Sequence, residues 1–209
     1  MCGNFSQNSK AEIIAKKYGI KKEILFEPQS DLYPWYEASV VGMGKDGPGL
    51  TKMQWSLIPN WFSGSLKDAK RKFKFNFNAI GEELNDKASY KVPYQKGQRC
   101  IIFTDRFSEP FGKKVDTYDF TLREDHALMS IAGLWNQWKD NESKAYYTFT
   151  MVTSQANALV AEVHSKKRMP LVLDDEAAEL WMNPQSPTKV CDALVKPFSD
   201  SLMIRTKAN

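Results

Sequence analysis

Four short apolar segments, set among helix signals without a regular alternation, constrain the fold of this chain most. The segments are MQWSLIP, QRCIIFT, ALMSIAGLW and YYTFTMVTS, and their β-branched and aromatic residues are typical of strands. Helical patterns precede, separate and follow them, without the strand–helix–strand repeat of a parallel sheet. The sequence therefore predicts a single α+β domain, with a largely antiparallel, barrel-like β-sheet core flanked by helices.

Helix signals surround those four segments. The predicted helices begin at Ser9, Ser154, Asp174 or Asp175, and Ser186 followed by Pro187. Gly19 is predicted to end the first helix, because glycine readily adopts the left-handed backbone found after a helix. The lysine-rich stretch between the first two strands is predicted as a helix and loop. No internal repeat or linker divides the chain, so residues 1–209 are predicted to form one domain.

The composition is that of a globular protein of ordinary size. The 209 residues are 42% hydrophobic and 26% charged. No segment approaches the ~20 apolar residues that cross a bilayer, and the polar amino terminus does not resemble a secretory signal peptide. Cys2, Cys100 and Cys191 form no CxxC pair, which argues against disulfides or a zinc knuckle and for a reducing, cytoplasmic compartment. We expect a monomer, with Cys100 and Cys191 in the core.

Charge and histidine content narrow the possible functions. The net charge is +4 and the pI is about 8.8, which is compatible with a nucleic-acid partner without requiring one. His126 and His164 are the two histidines of the chain. A histidine-rich metal site is therefore excluded, no cofactor is predicted, and two histidines remain as candidates for acid–base chemistry.

The chain begins MCGNF, with a cysteine directly after the initiator methionine. Cysteine is small enough to permit removal of that methionine, so Cys2 would become the first residue. Its α-amine and thiol then lie two carbons apart and titrate near ~8 and ~8.5 when unperturbed. An aldehyde condenses with such an amine to an imine, and the thiol closes a thiazolidine ring. A cysteine at an arbitrary second position is the alternative, and one residue does not decide between them.

Six motifs occur in a fixed order: MCGNF, WSLIPNWF, FNAIGEE, RCIIFTDRFSEPF, IAGLW and TSQANALVAEVHSKKRMPLVL. Each is weak alone, but the ordered set resembles the SOS response-associated peptidase (SRAP) family over nearly the whole chain. Proteins of that family recognise abasic sites in single-stranded DNA and form a thiazolidine crosslink through their amino-terminal cysteine. The resemblance implies the same DNA partner and the same reaction for Cys2, after removal of Met1 by autoproteolysis or by an aminopeptidase.

The resemblance also implies roles for individual residues. Cys2 matches the nucleophile, and Asn78 matches the asparagine that orients the reacting amine and sugar. Glu109 matches the presumed proton shuttle, and His164 matches the histidine that helps to open the deoxyribose. Imine formation requires a deprotonated amine, a proton donor for the departing hydroxyl and a polar anchor for the sugar, so these four catalytic candidates are chemically coherent.

Each of three assignments has a purely structural alternative. Glu109 lies in an apolar and aromatic stretch and would serve equally as a surface strand residue, although such carboxylates often have a raised pKa. His164 near a helix end would be stabilised there by the helix dipole. Asn78 would fit a turn. Only the ordered motif set favours the catalytic interpretation.

Candidate DNA contacts follow from the resemblance and from basic and aromatic clusters. They are Trp61, Phe62, Lys72, Lys74, Lys166, Lys167 and Arg168. The segment SLKDAKRKFKFNF alternates cations and aromatics at period two, which predicts a strand with a buried aromatic face and a solvated basic face. Trp55 is predicted to be core.

The chain departs from the family pattern at four positions and in the segment after His164, where S-K-K-R-M-P is longer than the common H-x-R-M-P and supplies Lys166, Lys167 and Arg168. Asn4 and Ile80 stand where the family usually has arginines, Gly81 replaces an alanine, and Pro110 replaces the aromatic after the catalytic glutamate. The chemistry of the site does not depend on these residues, whereas the phosphate contacts do. Two rival functions follow: a non-catalytic module that binds DNA or protein, and a thiol peptidase in which Cys2 removes its own leader and cleaves other peptides.

Overall fold

A computed structural model of the chain describes residues 2–22, 25–111, 116–124 and 127–208. Met1 and His126, both considered above, lie outside the described residues. The described strands are β1 Asn4–Gln7, β2 Gln29–Leu32, β3 Glu37–Gly44, β4 Gly47–Trp55, β5 Asn78–Ile80, β6 Arg99–Thr104, β7 Arg106–Phe111, β8 Asp116–Leu122, β9 Met129–Lys139, β10 Ala145–Gln155, β11 Arg168–Pro170, β12 Val172–Leu173 and β13 Met203–Lys207. The described helices are α1 Ala11–Tyr18, α2 Leu66–Lys72, α3 Lys91–Gln95, α4 Ala158–Ala161, α5 Asp175–Met182 and α6 Thr188–Ala193.

Five strands close into a barrel. Their order is β10, β4, β3, β6 and β9, and β9 pairs with β10 again through an antiparallel hairpin in which Ala145 lies opposite Lys139. Around this circle β4 and β10 run parallel and the other pairs are antiparallel. The four apolar segments of the sequence lie on four of these strands, so the predicted α+β fold with a barrel-like core is confirmed.

A second, antiparallel sheet packs against the barrel. Its strand order is β13, β8, β7, β1 and β2. Phe107 and Phe120 stack within this sheet at 5.0 Å between ring centroids, and Phe5 meets the barrel residue Trp55 edge-on at 4.8 Å. All four rings are fully buried. The sheet therefore holds the amino-terminal strand β1 firmly against the barrel.

The helix predictions are confirmed in part. α5 begins as expected, with the Asp174 side chain accepting a hydrogen bond from the Ala177 N–H at 2.8 Å, and Gly19 ends α1 at φ 64°. The Ser9 capping box is wrong, because the Ser9 hydroxyl bonds to Asp105 and α1 begins after Lys10. The Ser154 cap is also wrong. Ser154 belongs to β10, and α4 is instead capped by Asn157, which accepts from Val160 N–H.

The segment predicted as a basic and aromatic strand is the helix α2. Ser65 caps it by accepting the Asp68 N–H at 3.2 Å, a signal that the period-two alternation of the sequence obscured. The aromatic residues do not share one buried face either, because Phe73 is buried whereas Phe75 is 65% exposed. The predicted cores are confirmed for Trp55, Cys100 and Cys191, which are all buried.

Candidate active site at the amino terminus

Cys2 lies buried at the start of the amino-terminal strand. β1 is held between β2 and β7, with Phe5 opposite Leu32 on one side and Phe107 on the other. The Cys2 carbonyl accepts a hydrogen bond from Asn78 Nδ2 at 2.7 Å, and its thiol donates to the Asn4 carbonyl at 3.3 Å. Both ends of the residue are therefore fixed by the fold.

Asn78 comes from a different part of the chain. It begins β5, which lies parallel to β10 with Asn78 opposite Met151, so the turn alternative does not apply. The Tyr90 hydroxyl donates to the Asn78 carbonyl at 3.2 Å and helps to hold the strand. Asn78 Oδ1 is buried and has no hydrogen-bond partner within the described part of the chain. A buried acceptor without a partner thus belongs to the amide that binds the Cys2 carbonyl.

Glu109 is a buried carboxyl on β7, the strand that pairs with β1. Its exposed fraction is 1%, which rules out the surface alternative, and neither carboxylate oxygen has a hydrogen-bond partner among the residues described. Burial raises its pKa to about 7 from an ordinary value of 4.5. Near neutral pH the carboxyl therefore exists in both protonation states, as a group that donates and accepts protons requires.

His164 follows α4 and faces Glu109. Its Nε2 lies 3.8 Å from Glu109 Oε2, and its Nδ1 accepts the Arg168 N–H at 3.3 Å. Because Nδ1 accepts, the proton of the neutral ring is on Nε2, toward Glu109. Burial, together with the charges of Lys166 and Arg168, lowers the pKa of His164 to about 4. The imidazole is therefore neutral at physiological pH.

The Cys2 thiol is protonated at neutral pH. Burial raises its pKa, and the nearby Glu109 carboxylate raises it further. Activated cysteine nucleophiles usually show the opposite shift, because cations or helix amino termini lower the thiol pKa. The site brings Cys2, Asn78, Glu109 and His164 together, each 5% exposed or less.

Three of the DNA-contact candidates, Trp61, Phe62 and Lys72, lie together and combine two aromatic rings with a cation. Trp61 is 50% exposed and donates its indole N–H to the Ala88 carbonyl at 3.2 Å. The Lys72 ammonium lies 5.4 Å from the Trp61 ring centroid and 5.2 Å from that of Phe62. The Lys74 ammonium contacts a different ring and lies 4.8 Å from the centroid of the exposed Phe75. These groups lie outside the buried cluster of Cys2, Asn78, Glu109 and His164.

The three cations after His164 have different surroundings. Lys166 and Lys167 are exposed, whereas Arg168 is 8% exposed. The Arg168 guanidinium binds Glu82 through two hydrogen bonds of 2.8 and 2.7 Å and also donates to the Thr153 carbonyl at 2.6 Å. Its charge is therefore engaged within the protein, and the two lysines are the cations presented to solvent.

Two departures from the family pattern have a local explanation. A Cβ at Gly81 would lie 2.6 Å from Val195 Cγ1 and 2.9 Å from the Thr153 carbonyl oxygen, so a side chain does not fit there. Asn4 meets Arg106, a residue that the sequence analysis did not single out. Arg106 Nη1 donates to Asn4 Oδ1 at 2.9 Å, and Nη2 binds Asp31 at 2.7 Å. Position 4 thus lies beside an arginine from another strand.

Metal ligands do not cluster in the described residues, where no group of three or more His, Cys, Asp or Glu side chains has a metal-binding arrangement. Over the same ranges, no helix has the length and apolar character to cross a membrane. The site is accordingly a cluster of a thiol, a carboxyl, an imidazole and an amide.

The site combines a buried thiol near the amino terminus with a carboxyl and an imidazole, on a small mixed barrel. Comparison with known proteins identifies the family that has this fold. The model of the family described as SOS response associated peptidase (SRAP) matches residues 1–207. The chain therefore belongs to the SRAP family.

Curated relatives and solved structures agree with that membership. The abasic site processing protein YoqW of Bacillus subtilis is 32% identical over 210 residues, covering 95% of this chain and 88% of the relative. The abasic site processing protein HMCES of Gallus gallus is 31% identical over 170 residues, covering 71% of this chain and 49% of the relative. A crystal structure of a Bacteroides thetaiotaomicron protein has a TM-score of 0.89 at 24% identity, covering all of this chain and 92% of the other, and shares the fold.

Proposed function

We propose that this protein processes abasic sites in DNA by covalent capture, through a thiazolidine between Cys2 and the ring-opened sugar in a single strand. The observation that carries the proposal is the convergence of the Cys2 thiol with buried acceptors on Glu109 and Asn78 that lack hydrogen-bond partners within the described ranges. Unpartnered buried oxygens cost stability and are retained where a ligand completes them. The names of the relatives, which describe abasic site processing, point to the ligand.

The reaction begins at the α-amine of Cys2 once Met1 has been removed. The amine nitrogen attacks the C1 aldehyde of the open sugar, and the carbinolamine loses its hydroxyl as water to give an imine. The thiol sulfur then adds to the imine carbon while the thiol proton passes to nitrogen, which closes the five-membered ring. No oxidant, metal or cofactor is needed, and one water is the only group released.

The surrounding residues move protons and hold the sugar. Glu109, with its pKa raised to about 7, donates a proton to the departing hydroxyl and can take one back from the thiol. His164 keeps a neutral Nε2–H directed at Glu109, so it assists ring opening as a donor without adding positive charge. Asn78 holds the Cys2 carbonyl through Nδ2 and offers Oδ1 to the sugar.

The raised thiol pKa argues against the peptidase alternative. A thiol peptidase requires a thiolate to attack the amide carbonyl, and burial beside Glu109 favours the neutral thiol. In the crosslinking reaction the amine attacks first, and the thiol adds only to a reactive imine. Removal of Met1 precedes this reaction, and by the same argument the protonated thiol favours an aminopeptidase over autoproteolysis through Cys2.

The experiment is to mix the mature protein with a single-stranded oligonucleotide that carries one abasic site. We expect a denaturation-resistant band and an intact mass equal to the protein without Met1, plus the DNA, minus one water. An oligonucleotide with a reduced, non-aldehydic sugar is the matched control and should give no such band. Reversible binding without an adduct would favour the non-catalytic module, and turnover of peptides by the mature protein would favour the peptidase.

A further inference from the structure

A cavity of about 580 Å³ opens at the mouth of the barrel, away from Cys2. Asn78, which binds Cys2, lies opposite Met151 on β10, whereas the cavity is lined by Tyr147, four residues earlier on the same strand. At about 3.3 Å per residue this separates the two places by roughly 13 Å along the strand. The cavity, called the barrel-mouth pocket below, is therefore distinct from the amino-terminal site.

Two opposed glycines keep this pocket open. Gly42 on β3 lies opposite Gly49 on β4 and opposite the core residue Cys100 on β6, so all three face the barrel interior. A Cβ added at either glycine would meet nothing within 4 Å, and neither has a positive φ. Neither backbone conformation nor internal packing thus requires glycine here. Glycines inside a strand weaken it and often mark the close approach of a ligand.

Aromatic rings form the wall of the pocket. Trp135 on β9 and Tyr147 on β10 lie with ring centroids 6.2 Å apart, and Tyr147 is 43% exposed. The Tyr147 hydroxyl accepts a hydrogen bond from Gln137 Nε2 at 3.0 Å, which holds the ring in place. Met53 also lines the pocket and is buried. A flat apolar ligand has two rings to stack against, next to the space left open by Gly42 and Gly49.

The rim of the pocket is cationic. Lys21, Lys22 and Lys45 line it, with Asp46 as the single acidic residue of that set. Asp46 binds Lys22 at 2.8 Å, so its charge offsets one lysine and two positive charges remain. An anionic group would be attracted to the edge of the aromatic wall.

We propose that the barrel-mouth pocket binds a nucleotide unit, with its base against Trp135 and Tyr147 and its phosphate at the lysine rim. Open space beside two glycines, an aromatic wall and a cationic rim together match a planar ring that carries an anion. Two sources share this chemistry: a free mononucleotide and one unit of a nucleic-acid single strand. The binding uses no group of the Cys2 site and does not depend on the covalent chemistry.

The first test titrates the full chain with dAMP, with adenosine and with an undamaged (dA)4 oligonucleotide. The readout is the indole N–H resonance of Trp135, assigned by its loss in Trp135→Phe. We expect saturable shifts with dAMP or (dA)4, and weaker binding of adenosine, which lacks the phosphate. Tighter binding of dAMP identifies a free nucleotide, and tighter binding of (dA)4 identifies a strand. No saturable shift of this resonance with either probe overturns the proposal.

Variants then locate the binding. Gly49→Val fills part of the open space and should weaken binding at least ~10-fold, and Tyr147→Ala should weaken it by about 5- to 100-fold, as expected for loss of one stacked base. Lys45→Ala should weaken binding several-fold, whereas Lys52→Ala on the other face of the same hairpin should not. Lys52 is exposed and is not among the residues that line the pocket, so Lys52→Ala removes the same charge from the same hairpin without changing the pocket.

Folding and crosslinking provide the controls. A Cβ at Gly49 meets no atom within 4 Å and the position has no positive φ, so we expect Gly49→Val to fold, with thermal unfolding close to that of the wild type. Cys2→Ala should retain nucleotide binding at the pocket, which separates this proposal from the covalent one. Unchanged affinity in a folded Gly49→Val, or equal losses in Lys45→Ala and Lys52→Ala, would place the nucleotide elsewhere and refute the proposal.

Discussion

The amino-terminal site and the aromatic surface beside α2 differ in how their polar groups are surrounded. Cys2, Glu109 and His164 are almost fully buried, and burial shifts the pKa of all three. Trp61 is half exposed, and Lys72 lies close to its ring rather than to a carboxylate. Desolvated groups with shifted pKa values are suited to proton transfer, and exposed rings with nearby cations are suited to holding a strand.

Because the two regions differ in this way, reaction rate and affinity should separate in mutants. Substitutions in the buried cluster should change the rate of covalent capture with little effect on reversible binding. Substitutions on the exposed surface should change affinity, and at saturating DNA the rate should stay the same. Variants that changed both quantities equally would abolish the distinction between the two regions.

The largest expected effect is the complete loss of the adduct in Cys2→Ala, because no sulfur remains to close the ring. Cys2→Ser is expected to give a labile imine that only borohydride reduction preserves. The measurement is the heat-stable band with an abasic single strand. Cys191→Ala, which alters a buried thiol in a different core cluster from Cys2, is the control and should crosslink normally. An undiminished heat-stable band from Cys2→Ala would exclude the proposed bond.

Glu109→Gln should slow crosslinking by at least ~10-fold, because general acid–base groups typically contribute ~10²–10⁴-fold. Its affinity for a strand with a reduced abasic site should change much less. The rate–pH profile sharpens the test: wild type should lose the protonated carboxyl as pH rises through about 7, and the variant should lack that ionisation. Losses of equal size in binding and rate would make Glu109 a contact or structural residue.

The same substitution has a signature in stability. The folded-state pKa of Glu109 is about 7, above its ordinary value of 4.5, so between these values the folded protein retains a proton that the unfolded chain has released. Its contribution to the free energy of unfolding is therefore present below pH 4.5 and lost as pH rises through about 7. The free energy of unfolding of the wild type minus that of Glu109→Gln, measured with urea, should therefore fall as the pH rises from 4.5 to about 7. A difference independent of pH would mean that Glu109 titrates normally.

Local signals in the sequence predicted four of the five barrel strands, but not β3 or the second sheet, and they predicted the helix caps less well. Strand segments such as QRCIIFT are rich in β-branched and apolar residues, which favour strands without any tertiary contact, and QRCIIFT forms β6. Ser154 has a cap-forming side chain, but eleven residues of β10 pair continuously and include it. Tertiary pairing therefore overrode the local signal. For α2 the sequence contains the capping residue Ser65. The alternation of lysine and phenylalanine has the period of a strand, so it predicted a strand where the structure has a helix.

The site could be predicted only as a set of residues, because its geometry depends on long-range pairing. Asn78 reaches Cys2 through the parallel pairing of β5 with β10, which no local pattern encodes. The contacts of Arg106 with Asn4 and Asp31 span 102 and 75 residues of sequence. The resemblance named the catalytic candidates, and burial of Glu109 and the neutral state of His164 came from the fold alone.

On the exposed surface, Trp61→Ala should weaken binding of an intact single strand by about 5- to 100-fold, the loss expected for one base–aromatic stack. At saturating DNA the rate constant of crosslinking should stay within ~2-fold of wild type, since the reacting groups are untouched. Trp61→Phe keeps an aromatic face and should recover most of the affinity. A fall in the saturated rate constant, with affinity unchanged, would reverse the assignment of the two regions.

The smallest expected effect concerns Ile80, where the family usually has an arginine. Each cation set against a phosphate of a single strand steepens the dependence of log affinity on log salt by about 0.7. Ile80 is partly exposed at the end of β5, two residues after Asn78, so Ile80→Arg is expected to add one such contact and steepen the slope by about 0.7. Ile80→Met is the uncharged control of similar length and should leave the slope unchanged. Because covalent closure depends on the buried groups, the crosslinking rate at saturation should not change in either variant. A slope unaltered by the arginine would mean that this end of β5 does not face phosphate, and the strand would then have to pass the site on the side of Lys166 and Lys167.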